Sequence, residues 1–300
     1  MNYICYQSRK NTLKYMQKRV LLFILLLTSS FIFGQETPTI KDSEEQTSKW
    51  TAAVDVVYPY LWRGLKYNAD KLAFQPYINY NINEKLTFGL WATTNFTNDA
   101  DAYNEVDWVI SYQISDVVQL VVSDYYWPST KKAFEEDSAN SRANYFDYSE
   151  GSAQSLDFSI LLDFSEKGVP LDLQWNTLFG GNDYKYDENG VATGRAYSSY
   201  AEIGYTHTFQ KAGIDVRPFI GAAIINGGYY GTDANGKAGF TFTNVGINIA
   251  KDIEISKNYT IPVFVRYSFN DYGVQKMDGN NVLQETERHF ISAGLTFTIM

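Results

Sequence analysis

The sequence predicts an all-β protein: a closed, antiparallel, up-and-down transmembrane β-barrel of about twelve strands. Three observations predict it. Apolar and polar residues alternate over stretches of about ten residues along most of the chain, a length that spans a bilayer as a tilted strand. The connections between these stretches alternate between short turns and longer polar loops. An export-like segment precedes the first stretch.

The chain begins with that segment. Lys18 and Arg19 are followed by "VLLFILLLTSSFIFG", whose continuous apolar run, Val20 to Leu27, is too short to cross a bilayer as a helix. Residues 1–35 therefore read as a signal peptide with cleavage near Gly34–Gln35, and Met16 offers an alternative translation start. Residues 36–49, "ETPTIKDSEEQTSK" after Gln35, are polar and lack any period, as a flexible periplasmic leader would. The only cysteine, Cys5, falls in the removed part, so disulfides and thiolate chemistry are excluded from the mature chain. Removing the five basic groups of residues 1–35 from 25 leaves 20 against 34 acids, a net charge of −14. Such a surface repels phosphate, which removes nucleic acid from the expected partners.

Residues 50–300 form the barrel region, and "WTAAVDVVYPYLWRG" (50–64) sets its pattern. Every second residue from Trp50 is apolar or aromatic, with Trp50, Tyr58, Tyr60 and Trp62 towards the ends; the intervening set carries Asp55 and Arg63. Eleven further alternating segments follow, at 71–82, 85–96, 103–114, 117–127, 153–164, 171–180, 196–209, 214–226, 240–250, 259–269 and 286–299. In 153–164, Leu156, Phe158, Ile160 and Leu162 face away from Ser155, Asp157, Ser159 and Asp163. Two segments are irregular: Val121 interrupts the polar set of the fifth, and Phe242 and Val245 share no parity in the tenth, which marks a β-bulge. A sixteen-per-cent aromatic content with a negative mean hydropathy, −0.29, suits half-apolar strands better than membrane helices.

The connections sort the two ends of the sheet. "NE" (83–84), "SD" (115–116), "SEKGVP" (165–170), "QKAG" (210–213) and "DIEISKN" (252–258) alternate with 64–70, 97–102, 128–152, 181–195, 227–239 and 270–285. A meander places all odd connections at one end, and bacterial outer-membrane barrels have short periplasmic turns and long outer loops. In lipid every backbone polar group must be paired internally, so such a sheet closes on itself. Trp50, Tyr58, Tyr60, Trp62, Trp175 and Tyr267 are then candidates for the aromatic girdle at the two interfaces. A soluble β-sandwich also alternates, with its apolar face turned inward.

The inward parity collects Asp55, Arg63, Glu105, Asp107, Asp157, Asp172, Glu202, Arg217 and Arg266 as candidate pore-lining residues. The acidic excess points to a cation-preferring channel for passive diffusion of small solutes or ions. The alternative is a closed bore, with acid and Arg paired across it, in a structural or binding barrel that works through its outer loops. Catalysis is not expected. The two histidines, His207 and His289, fall at opposite membrane faces on the lipid-facing parity. Glu105 and Asp107 are two apart on one face, where lumen acids explain them more simply than acid–base catalysis. "NDYKYDENG" (182–190) lacks the ligand spacing of a calcium loop, and neither metal nor cofactor is expected.

"VVYPYLWRG" (56–64), "FGLWATTNF" (88–96), "NEVDWVISYQI" (104–114) and "SDYYWP" (123–128) resemble the first strands of the TorF-type porins, bacterial outer-membrane proteins formerly grouped as conserved proteins of unknown function. Tyr60, Arg63, Gly64, Gly89, Trp91, Glu105, Asp107, Tyr126 and Pro128 take the places of that pattern, with Trp127 interrupting the last motif. The resemblance is closest over 50–128. It implies a barrel in the outer membrane of a Gram-negative bacterium and a transport role, and brings no substrate or catalytic residue. Expected partners are outer-membrane lipid, the barrel-assembly machinery and the solutes or ions themselves. The chain departs from barrels that end on an aromatic: its last residue is Met300, with Phe297 three back.

Overall fold

The computed structural model describes residues 49–97, 102–127, 145–233, 235–277 and 283–299. Residues 1–48, which hold the expected signal peptide and most of the expected leader, lie outside the described residues, as do Pro128 and Met300. Twelve strands form the wall: β1 (Trp50–Tyr58), β2 (Ala73–Asn81), β3 (Leu86–Thr94), β4 (Asn104–Gln113), β5 (Val118–Tyr126), β6 (Gln154–Asp163), β7 (Leu171–Gly181), β8 (Ser199–Tyr205, continued by His207–Phe209), β9 (Ile214–Ile225), β10 (Thr241–Ser256), β11 (Tyr259–Met277) and β12 (Leu283–Thr298). Each expected segment coincides with one strand, but β10 and β11 run on through 251–256 and 270–277, stretches expected as turn and loop, and β12 already starts at Leu283, because the alternating ladder continues beyond the apolar band. Every strand pairs antiparallel with the next, and β12 returns to β1 with Ala53 opposite Thr298 and Tyr58 opposite Ala293. The sheet is therefore a closed barrel without an edge, which meets the demand that no backbone group face hydrocarbon unpaired.

The sheet is polar inside and apolar outside. The described buried residues include 24 polar or charged side chains against 15 hydrophobic ones, the reverse of a soluble core. Gln75, Thr93, Glu105, Asp107, Ser123, Asp157, Asn176, Glu202, Asn244 and Ser292 are among them. Large apolar side chains on the opposite parity stand exposed, among them Ile78, Leu90, Ile110, Ile203, Ile220, Ile249, Val265 and Ile291. A β-sandwich would bury that set. Since one slip of register would exchange the two faces, the alternation itself holds the register.

The irregular segments have local causes. In β9 and β10, Gly221 faces Asn244 while Ala222 faces Phe242, so Thr243 is an extra residue, and this bulge is why Phe242 and Val245 differ in parity. In β5, Ser123 lies opposite Asp157 and Val121 opposite Ser159, so Val121 is an apolar residue on the inward face.

Two of the expected girdle residues lie elsewhere. Trp50 and Tyr58 are exposed at opposite ends of β1, with the Trp50 ring 4.5 Å from that of Tyr80, and Trp175 and Tyr267 are exposed on the outer face. Tyr60 and Trp62, by contrast, pack inside the barrel. The strand stops at Tyr58, and the chain then turns over the rim into the bore, so the alternation that continues through Tyr60 and Trp62 no longer reports the strand face.

Candidate functional site: the bore and its inturned hairpin

The segment between β1 and β2 makes a small hairpin, Leu61–Trp62 against Leu65–Lys66, around a two-residue turn at Arg63–Gly64. Both turn residues have positive φ, 48° and 79°. This is the backbone of a primed hairpin turn, which Asn-Gly usually supplies. Arg63 bears a conformation that costs a non-glycine residue about 1–3 kcal/mol. Asn68 braces the base: its side chain accepts from the Tyr60 N–H at 2.9 Å and donates to the Lys71 carbonyl at 2.5 Å.

The hairpin crosses the bore. Arg63 Nη2 donates to Asp157 Oδ2 on β6 at 2.5 Å, and Arg63 Nη1 donates to the Tyr230 hydroxyl at 2.9 Å. The Tyr125 hydroxyl of β5 reaches the same Asp157 oxygen at 3.0 Å. The pair is sealed, with the Arg63 side chain 8% exposed and that of Asp157 0%. The Gly64 carbonyl accepts from Asn270 on β11 at 3.0 Å, and Lys66 pairs with Glu287 on β12 at 2.8 Å. The tip sits against the β10 bulge: a Cβ added at Gly64 would stand 1.6 Å from the Thr243 carbonyl oxygen. A hairpin that starts beside β1 thus reaches β6 across the barrel as well as β10, β11 and β12.

Aromatic rings fill the space around it. Trp62 stacks on Tyr230 at 6.1 Å and meets Tyr125 edge-on at 5.5 Å. Tyr60 lies 5.7 Å from Trp91 and 5.6 Å from Tyr67, and Tyr67 stacks on Tyr103 at 5.1 Å. The Arg63 guanidinium lies 4.3 Å from the Trp62 ring centre, a cation–π contact.

The remaining charged candidates fall into several clusters. Glu105 and Asp107, both buried on β4, stand near the Tyr60–Tyr67–Tyr103 rings; Tyr103 donates to Glu105 at 2.9 Å, and the Tyr126 N–H reaches Asp107 at 3.3 Å. Asp55 accepts from Thr296 at 2.7 Å. Towards the short-turn end, Arg217 binds both Asp172, with a fork from Nε and Nη2, and Glu202, at 2.9 Å. Asn244 ties Glu202 to Ser268, through 2.8 and 2.6 Å bonds. Arg217 and Arg266 flank the Phe219 ring at 5.5 and 5.3 Å. Arg217 lies flat where β8 has Gly204; a Cβ there would come within 2.3 Å of its guanidinium.

Sequence reasoning missed the members that come from loops. Tyr230 and Tyr229 lie in the β9–β10 connection, where parity has no meaning, and "NGGYYG" (226–231) gave no sign beyond two aromatics among glycines. Asp124 was missed for another reason: it lies on the outward parity, yet Tyr148 and Gln154 hydrogen-bond it at 3.0 and 2.7 Å and bury it under the β5–β6 connection. His207 and His289 are both outward and exposed, with His289 Nδ1 2.8 Å from the Tyr267 hydroxyl.

No family model matches the chain, and no curated protein does. Among solved structures the chain is similar to the NanC porin, at 11% identity and a TM-score of 0.47, over 82% of this chain and 97% of that one. It is also similar to the outer membrane protein OpdK of Pseudomonas aeruginosa, at 11% identity and a TM-score of 0.36, over 81% and 60% of the two chains. A third similar structure is OmpF of Salmonella typhi, at 10% identity and a TM-score of 0.34, over 83% and 96%. These likenesses are too distant to bear on a solute.

Proposed function

We propose that this chain is an outer-membrane channel for passive diffusion of small solutes or ions, with the 61–66 hairpin as its constriction. The observation that carries the reading is the hairpin latched across a charged bore, Arg63 to Asp157. A hairpin anchored inside the bore by a buried ion pair narrows the path that the barrel encloses. Among the described residues Glu105 and Asp107 have no cationic partner, and as carboxylates in the bore they favour cations.

The rival reading is a closed binding barrel that acts through its outer loops. It draws support from a cleft of about 1120 Å³ between the β7–β8 and β9–β10 connections, lined by Asp183, Tyr186, Asn226 and Lys237 among others. Single-channel recording on the refolded chain in a planar bilayer separates the two. Discrete openings are expected from a channel, and a silent membrane containing folded protein supports the rival. In the same recordings, Glu105→Lys with Asp107→Lys is expected to move the reversal potential in a salt gradient towards anions. An unchanged reversal potential would remove both carboxylates from the ion path.

A further inference from the structure

The three bore-facing arginines do not stand alike. Arg63 has Asp157, and Arg217 has Asp172 and Glu202. Arg266, in the middle of β11, makes no ion pair and no hydrogen bond to any described residue, and its guanidinium lies 5.3 Å from the centre of the Phe219 ring. Its Nε is buried without a partner, while the side chain as a whole stays partly exposed to the bore. Directly across the ladder on β10 stands Asn248, whose Oδ1 is also buried and unpaired. The neighbour on the other side, Ser292, is already committed to the Pro59 carbonyl at 2.8 Å. Native structures rarely leave a guanidinium nitrogen and an amide oxygen unpaired side by side, because each unmade bond is costly.

We infer that Arg266, with Asn248 beside it, is a station for the carboxylate of a passing solute. A guanidinium offers a planar fork that a carboxylate fills with two parallel bonds. Arg217 cannot compete for the ligand, because two acids already hold it. The Phe219 ring, 5.3 Å from the Arg266 guanidinium, helps to hold that group in place before a ligand arrives. The station lies towards the short-turn side of the hairpin, so a solute meets it on the periplasmic side of the constriction. That last statement rests on the channel reading; binding itself does not.

The test is a calorimetric titration of the refolded full chain in detergent with benzoate, with benzyl alcohol as the uncharged probe. Benzoate is expected to bind one per barrel and benzyl alcohol not to. Arg266→Gln is expected to weaken benzoate about tenfold or more, the size of one charge-assisted fork. Arg266→Lys keeps the charge without the fork and is expected to fall between, and it serves as the readout should the glutamine variant not fold. Lys167→Gln removes a charge from an exposed turn and is expected to change nothing. Equal affinity in wild type and a folded Arg266 variant overturns the station, and so does the absence of benzoate binding. Conductance of the same preparation keeps the two readings apart. Arg266-dependent binding in a silent barrel overturns the channel and leaves the station standing, and openings without such binding do the reverse.

Discussion

Asp157→Asn is expected to free the hairpin and raise single-channel conductance several-fold. Asp157 is fully buried and neutralises the one guanidinium at the hairpin turn, at 2.5 Å. Removing one partner of a buried pair leaves the other charge without compensation, at a cost of about 3–5 kcal/mol. Arg63 can escape that cost only by leaving, because the Tyr230 hydroxyl at 2.9 Å and the Trp62 face cannot replace a carboxylate. Its backbone favours departure too, since the strained φ of 48° is held only while the turn is seated. The wall itself does not depend on the pair, because its strands are joined by their own ladders. The variant should therefore still form a barrel, read by its resistance to unfolding in cold detergent, with a wider path through it. Arg63→Met with Asp157→Leu, which replaces the pair by apolar groups, is expected to recover much of the lost stability. A folded Asp157→Asn barrel with wild-type conductance would show that the hairpin does not set the bore.

Gly64→Val should unseat the same hairpin from its other end. Gly64 has a φ of 79°, which a β-branched residue resists, and its missing Cβ makes room for the Thr243 carbonyl. That oxygen is backbone, on a bulge whose flanking residues Phe242 and Asn244 are held in the β9 ladder, so it cannot swing away. The control is Gly168→Val, at the β6–β7 turn. Its φ is 74°, and an added Cβ there meets nothing within 4 Å. The two variants share the conformational penalty, of about 1–3 kcal/mol, and differ only in the collision. Gly64→Val is thus expected to lower thermal stability more than the control and to raise conductance, while Gly168→Val leaves conductance alone. Equal behaviour of the two would mean that the tip is not seated against β10.

These two expectations concern the part of the molecule that was hardest to read in advance. The wall was legible because a lipid-facing strand and a water-facing strand cannot share a side, so Leu156, Phe158 and Ile160 announced one face and Asp157 and Ser159 the other. Even the β10 bulge was visible, as the broken parity between Phe242 and Val245. The hairpin was not. Alternation runs on through Pro59 to Trp62, and nothing in a period of two says that the chain has left the wall and entered the bore. The left-handed turn at Arg63–Gly64 was the available signal, since a residue followed by glycine between apolar pairs fits a two-residue hairpin. The partners of Arg63 came from β6 and from the β9–β10 connection, more than ninety residues away in sequence. Which acid meets which arginine depends on barrel register, and that follows from the closure of the whole sheet rather than from any local pattern.

The orientation of the sheet supports all of this, and tryptophan quenching measures it directly. Trp108 and Trp175 lie on the outward parity of β4 and β7, and Trp62 and Trp91 are packed in the bore. Single-tryptophan variants refolded into vesicles of acyl-brominated phosphatidylcholine are expected to show strong quenching of Trp108 and Trp175, with Trp62 and Trp91 left bright. Quenching of Trp62 and Trp91, with Trp108 and Trp175 untouched, would mean that the polar face meets the lipid, and the channel, its constriction and its carboxylate station would fall together.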